Sequence, residues 1–203
     1  MVSGDHVSTQ SGSGELLNQT LEMHIQNGTF LQALSTLAVD KRIPIGLVPC
    51  QPFQDEYNFN IDVSGASLKD ILDQIVQQRS DYRWEARSGV INILPVKSKD
   101  ELVDRFLDTR IRQFAPRKGL DQFGIRDAII NLPEVQTFLK LNKVTANRDG
   151  YFYRPDRHPS QLDLSSEEVD VRQALNKVIR DSNYKMWIVS RSGAKLEYLH
   201  IGL

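Results

Sequence analysis

With 203 residues, 40% of them hydrophobic, the chain has material for one or two packed domains. Its 25 basic and 26 acidic residues leave a net charge of -1, which excludes a global field favouring nucleic acid, an anionic bilayer or an acidic substrate. The single cysteine, Cys50, excludes an internal disulfide and a multi-cysteine metal knuckle, and no apolar run approaches the roughly 20 residues that span a bilayer.

Met1 to Gly14 is polar and Gly/Ser-rich, without the basic and apolar regions of a secretory leader, and residues 1–18 are expected to be a flexible segment standing where a leader has been removed. Leu21 to Ile25 suits a short strand and Asn27-Gly28 a turn. Thr29 with Gln32 has the spacing of a capping box, and Phe30, Ala33, Leu34, Leu37 and Ala38 share one helical face, which predicts a helix ending near Asp40. Arg42 to Val48 is β-type, but Pro44 points to a sheet edge. Tyr57, Phe59, Ile61 and Val63 alternate with polar residues up to a break at Gly65. Ser67 then caps a helix whose apolar stripe is Leu68, Ile71, Leu72, Ile75 and Val76. Tyr82, Trp84 and Ala86 open a hairpin that turns at Ser88-Gly89 and returns through Val90 to Leu94. Residues 98–107 read as a helical linker.

The last forty residues restate this pattern. With Ser67 set against Asp170, the helix positions Leu68, Ile71, Leu72, Ile75 and Val76 meet Val171, Ala174, Leu175, Val178 and Ile179, and Ile61 meets Leu164. One deletion later Tyr82 meets Tyr184, Trp84 meets Met186, and Arg87-Ser88-Gly89 meets Arg191-Ser192-Gly193 before a strand at Lys195 to Ile201. Upstream, Thr109 to Phe114 stands for the first strand and Leu120 to Leu141, split at Pro133, for the first helix. The expectation is an α+β chain of two tandem modules, 19–97 and 108–203, each a short mixed sheet packed by two helices in the order β-α-β-β-α-β-β.

This order, with Thr29-Phe30-Leu31-Gln32-Ala33-Leu34 opening one helix and Ser67-Leu68-Lys69-Asp70-Ile71-Leu72 the next, resembles the secretin and TonB short N-terminal domain over residues 20 to 95, and more faintly over 108 to 202. The resemblance implies a non-enzymatic module, periplasmic or outer-membrane associated, that contacts other envelope proteins in secretion-apparatus assembly or receptor signalling, or associates with itself. It supplies no catalytic residue.

Chemistry-bearing motifs are sparse. Cys50, between Pro49 and Gln51, has no thiol-protease signature around it and reads as a small, partly buried side chain. His6, His24, His158 and His200 lack the spacing of a zinc pair, and Asp163, Glu167, Glu168 and Asp170 lack the glycine-centred loop of a strong calcium site. No phosphate-cradling glycine motif and no G-x-x-G occur, so neither cofactor nor nucleic acid is expected. Arg105, Arg110, Arg112, Arg117 and Lys118 read as a solvated face. The strongest candidate for partner binding is the proline-bounded loop carrying Tyr151, Phe152, Tyr153, Arg154, Arg157 and His158. A small-molecule-binding regulatory module is the alternative reading.

Overall fold

A computed structural model describes residues 11–51, 53, 55, 58–97, 100–147 and 163–203. The chain is α+β. A short helix, α1 (Ser11–Leu17), occupies part of the span expected to be flexible. Strand β1 (Thr20–Gly28) leads to α2 (Phe30–Ser35), which continues as a π turn over Thr36–Asp40. The Thr29 hydroxyl accepts from the Gln32 N–H at 3.0 Å, the cap that the sequence pattern predicts. Then follow β2 (Ile45–Leu47), β3 (Phe59–Ser67), α3 (Leu68–Gln78), β4 (Tyr82–Arg87) and β5 (Val90–Pro95). The remainder comprises α4 (Glu101–Leu107), β6 (Arg110–Phe114), α5 (Gln122–Ile130), α6 (Pro133–Leu141), β7 (Thr145–Asn147), β8 (Ser166–Asp170), α7 (Val171–Asp181), β9 (Met186–Ser192) and β10 (Tyr198–Gly202).

The same pairing scheme occurs twice. Two antiparallel ribbons form, β1 with β3 and β6 with β8, and all other strands join one sheet in the order β4-β5-β2-β9-β10-β7. Each half therefore contributes a hairpin and one strand parallel to it, and the halves are fused where β2 pairs in parallel with β9. The Ile45 N–H donates across this seam to the Lys185 carbonyl at 2.8 Å.

Pro44 thus does not mark an edge, since β2 lies in the interior of the sheet. A proline just ahead of a strand removes only its own N–H, and the Pro44 carbonyl still accepts from Ile91 N–H at 2.9 Å. Gly65 does not end its strand either. Leu21 faces Ala66 and Met23 faces Val63, so Glu22 alone opposes Ser64 and Gly65 in a bulge, with Gly65 at φ +69. Asn27, at φ 49, lies in a second irregularity of the same ribbon where a turn was expected. Ser88 and Gly89, both at positive φ, make the tight turn expected between β4 and β5. The second hairpin differs, because β9 runs through Ser192 and the loop extends to Glu197.

Alternation along the sheet separates two cores. Ile45, Leu47, Ile91 and Ile93 face α2 and α3 together with Met186 and Ile188, while Val90, Leu94, Trp187 and Val189 belong to the core around α4 to α7. Helix α7 lies across β5, β2 and β9, and Arg180 reaches the Ser88 carbonyl at 3.2 Å, so the second half's principal helix also covers the first half's sheet. The stretch read as a linker carries buried Val103, Phe106 and Leu107, and Asp100 at its start pairs with Arg191 at 2.9 Å. It is packed structure.

Helix α7 is held by a reciprocal capping box: Asp170 accepts from Gln173 N–H at 2.7 Å, and the Gln173 side chain accepts from Asp170 N–H at 2.9 Å. Asp170→Ala is expected to lower stability by about 1 kcal/mol. An unchanged urea midpoint would show that the box contributes nothing.

Candidate functional site

The two tryptophans organise the comparison of the halves. On β4, the Trp84 indole N–H donates to Asp73 of α3 at 2.9 Å, and on β9 the Trp187 indole N–H donates to Asn176 of α7 at 2.8 Å. Each pair is separated by the same 103 positions, 84 to 187 and 73 to 176, as are the caps Ser67 and Asp170 and the positive-φ residues Gly65 and Glu168. The equivalence therefore runs without a gap through the helix into the hairpin. Matching Trp84 to Met186 through a deletion is incorrect, because Met186 packs against the first half's core, on the face of the sheet away from Trp187 and α7. Likewise Leu164, although buried, precedes β8 by two residues and is not part of the strand.

The environments of these two indoles differ. Trp187 is fully buried, and it lies beside Gly46 of β2 so closely that a Cβ there would sit 2.3 Å from two ring atoms. Trp84 is only half-buried, because among the described strands nothing pairs with the outer side of β4. Its partner Asp73 also accepts from Lys69 at 2.7 Å, and the ammonium, with the indole adding to it, holds that carboxyl below the usual range.

Beneath β4, on the face away from Trp84, is an open cleft of about 380 Å³. Arg83, Glu85 and Arg87 of β4 line it with Asp104 of α4, Asp108 at the C-terminal cap of that helix, and Arg172 of α7. Arg83 pairs with Glu85 at 3.2 Å and Arg172 lies 3.7 Å from Asp108, while the buried Nη1 of Arg172 has no hydrogen-bond partner among the described residues. Such a lining suits charged side chains better than an apolar ligand.

Other candidates resolve individually. Tyr151, Phe152, Tyr153, Arg154, Arg157 and His158 lie outside the described residues, in the stretch that follows β7. Cys50 is half-buried, its thiol 3.6 Å from the Asp81 carbonyl, and burial pushes it above its ordinary range, away from the thiolate that nucleophilic chemistry needs. Asp170 serves the helix cap, and Asp163 is held low by hydrogen bonds from Ser165. Arg105, Arg110, Arg112, Arg117 and Lys118 are all exposed. Among the described residues no three histidine, cysteine or acidic side chains are grouped to hold a metal, and no helix is long and apolar enough to cross a membrane.

His200 on β10 is buried, its Nε2 2.5 Å from the Ser192 hydroxyl, and burial pushes its pKa below the ordinary histidine range. The folded state therefore binds fewer protons than the unfolded chain. The stability this group contributes is present above the unfolded value of about 6.5 and declines as pH falls through it towards the folded value. Between about pH 7.5 and about pH 5.5 the melting temperature should drop, and His200→Gln should flatten that part of the profile. An identical slope in the variant would assign the effect to other groups.

Comparison with protein-family models, with curated proteins and with solved structures finds no match for this chain.

Proposed function

We propose that this chain is a non-enzymatic protein–protein interaction module of the bacterial cell envelope, made of two copies of one small module and acting in secretion-apparatus assembly or receptor signalling. The observation that carries the reading is the repeated scheme: a ribbon, a capped helix and a hairpin whose tryptophan bonds back to that helix, at one constant spacing. Its order resembles that of the secretin and TonB short N-terminal domain, and the residues carrying that likeness, Thr29 to Leu34 and Ser67 to Leu72, open α2 and α3. A sheet whose end strand, β4, has an outer side that no described strand pairs with, beside a cleft of mixed charge, supports contact with polypeptide more than turnover of a substrate. The partners are other envelope proteins, and the location is periplasmic or outer-membrane associated.

Sequencing the mature N-terminus from the native source, followed by crosslinking in envelope fractions, tests this. A processed leader and a reproducible envelope crosslink are expected. Recovery solely from cytosol with Met1 as the native start would sink the proposal. The cleft keeps one alternative in view, a small-molecule regulatory site. A thermal-shift screen against metabolites separates the two, since a saturable stabilising ligand favours regulation.

A further inference from the structure

The second half contains a worked example of strand docking. Strand β9 receives β2 on its outer side, with Ile45, Gly46 and Leu47 opposite Met186, Trp187 and Ile188. The Lys185 carbonyl accepts from Ile45 there, so Lys185, Trp187 and Val189 direct their backbone groups towards β2. Strand β4 is in the same phase: the Asp81 carbonyl accepts from Val96 N–H at 2.8 Å, so residues 81, 83 and 85 bond towards β5 while Trp84 and Ala86 present their N–H and C=O groups outward.

We propose that this open edge of β4 takes an extended segment of a partner protein, added in parallel, with an acidic residue opposite Arg83, a glycine opposite Trp84 and a basic residue opposite Glu85. The proposal rests on the protein-contact reading above and names the chemistry of the partner.

The glycine follows from the indole. Trp187, tied to α7, overhangs the neighbouring strand so closely that only glycine fits at position 46, and Trp84 is tied to α3 by the equivalent bond. The charges follow from the other face. Residues flanking Gly46 meet Met186 and Ile188, an apolar match, whereas the same two positions on β4 are Arg83 and Glu85. Opposite charges directly across two strands stabilise the pairing and like charges oppose it. The Nη1 of Arg172, in the cleft below and without a hydrogen-bond partner among the described residues, favours a carboxylate on that side. A second copy of β4 is a poor occupant. Antiparallel self-pairing centred on Trp84 sets two overhanging indoles against each other, and centring on Glu85 sets Glu85 against Glu85 and Arg83 against Arg87.

The test uses the full chain and fluorescein-labelled peptides of the sequence Thr-Val-Glu-Gly-Lys-Val-Thr, read by anisotropy. Saturable binding is expected. It should weaken roughly tenfold when the peptide glycine becomes leucine, and by a similar factor when Glu and Lys exchange places. The double variant R83E/E85R should reverse that last preference. Ala86→Pro, which removes an outward N–H from an edge strand, should abolish binding without moving the melting temperature. Absence of saturable binding, equal binding of the leucine peptide, or a charge preference unchanged in R83E/E85R would overturn the proposal. Failure of the peptides with envelope crosslinks retained would overturn this edge and leave the broader function standing.

Discussion

Trp187→Ala is expected to destabilise the protein by about 3–5 kcal/mol, a large share of the roughly 5–15 kcal/mol that holds a domain together. The indole is fully buried, the largest side chain in that class, so its removal opens a cavity with contributions from both halves. It also strands Asn176, 3% exposed, whose carbonyl accepts the indole N–H. Trp187→Phe, which keeps most of the volume and loses the hydrogen bond, should cost roughly 1–3 kcal/mol. The equivalent change in the first half, Trp84→Ala, should cost clearly less than Trp187→Ala. That indole is half-buried, and Asp73 retains Lys69 when it goes. Urea denaturation of the three variants measures the series. Equal losses at 84 and 187 would mean that the seam with β2 adds nothing at the second site.

Gly46→Ala is the complementary change. Its new Cβ would lie 2.3 Å from the Trp187 ring, inside a strand bonded on both sides, where neither backbone nor indole has room to move. Overpacking of this kind costs about 1–3 kcal/mol, sometimes more. The cause is one side chain, so the cost should shrink when the indole is replaced. In a cycle of Gly46→Ala and Trp187→Leu, the double variant should be more stable than the sum of the single losses by about 0.5–3 kcal/mol. Strict additivity would show that the strain at Gly46 comes from the backbone and not from the ring.

Much of this arrangement was legible in the sequence where one residue's neighbours are its own helix or strand. The stripes of α3 and α7 are buried as their spacing requires, except for Val76, which is only partly covered, and Thr29, Ser67 and Asp170 cap as their side chains allow. Pro133 opens α6 after Leu132, the split expected there. The split of residues into two repeating patterns was visible, but the fusion between them was not, because β2 becomes interior only through β9, far along the chain. A signal did exist. Met186-Trp187-Ile188-Val189 is apolar without alternation, as a strand covered on both faces must be, whereas β4 alternates charge with apolar residues. Setting Tyr82 against Tyr184, 102 positions apart, drew the alignment one residue out of register and hid the equivalence of the two tryptophans, 103 apart. Strand β7, at three residues, is too short for periodicity to reveal. Within the candidate site, Arg83, Glu85 and Arg87 read only as the wet face of a hairpin. Asp104, Asp108 and Arg172 join them through the packing of α4 and α7, which no local pattern encodes.

The fusion of the halves through β2 and β9 is tested most directly by native-state hydrogen exchange at Ile45, whose N–H bonds across the seam to Lys185. If the halves unfold as one unit, this amide exchanges only through global unfolding, with the same free energy as buried amides of α3 and of α7. Exchange at Ile45 through a lower-energy opening, while both helices remain protected, would show two separable domains resting against each other and would contradict the single fused sheet.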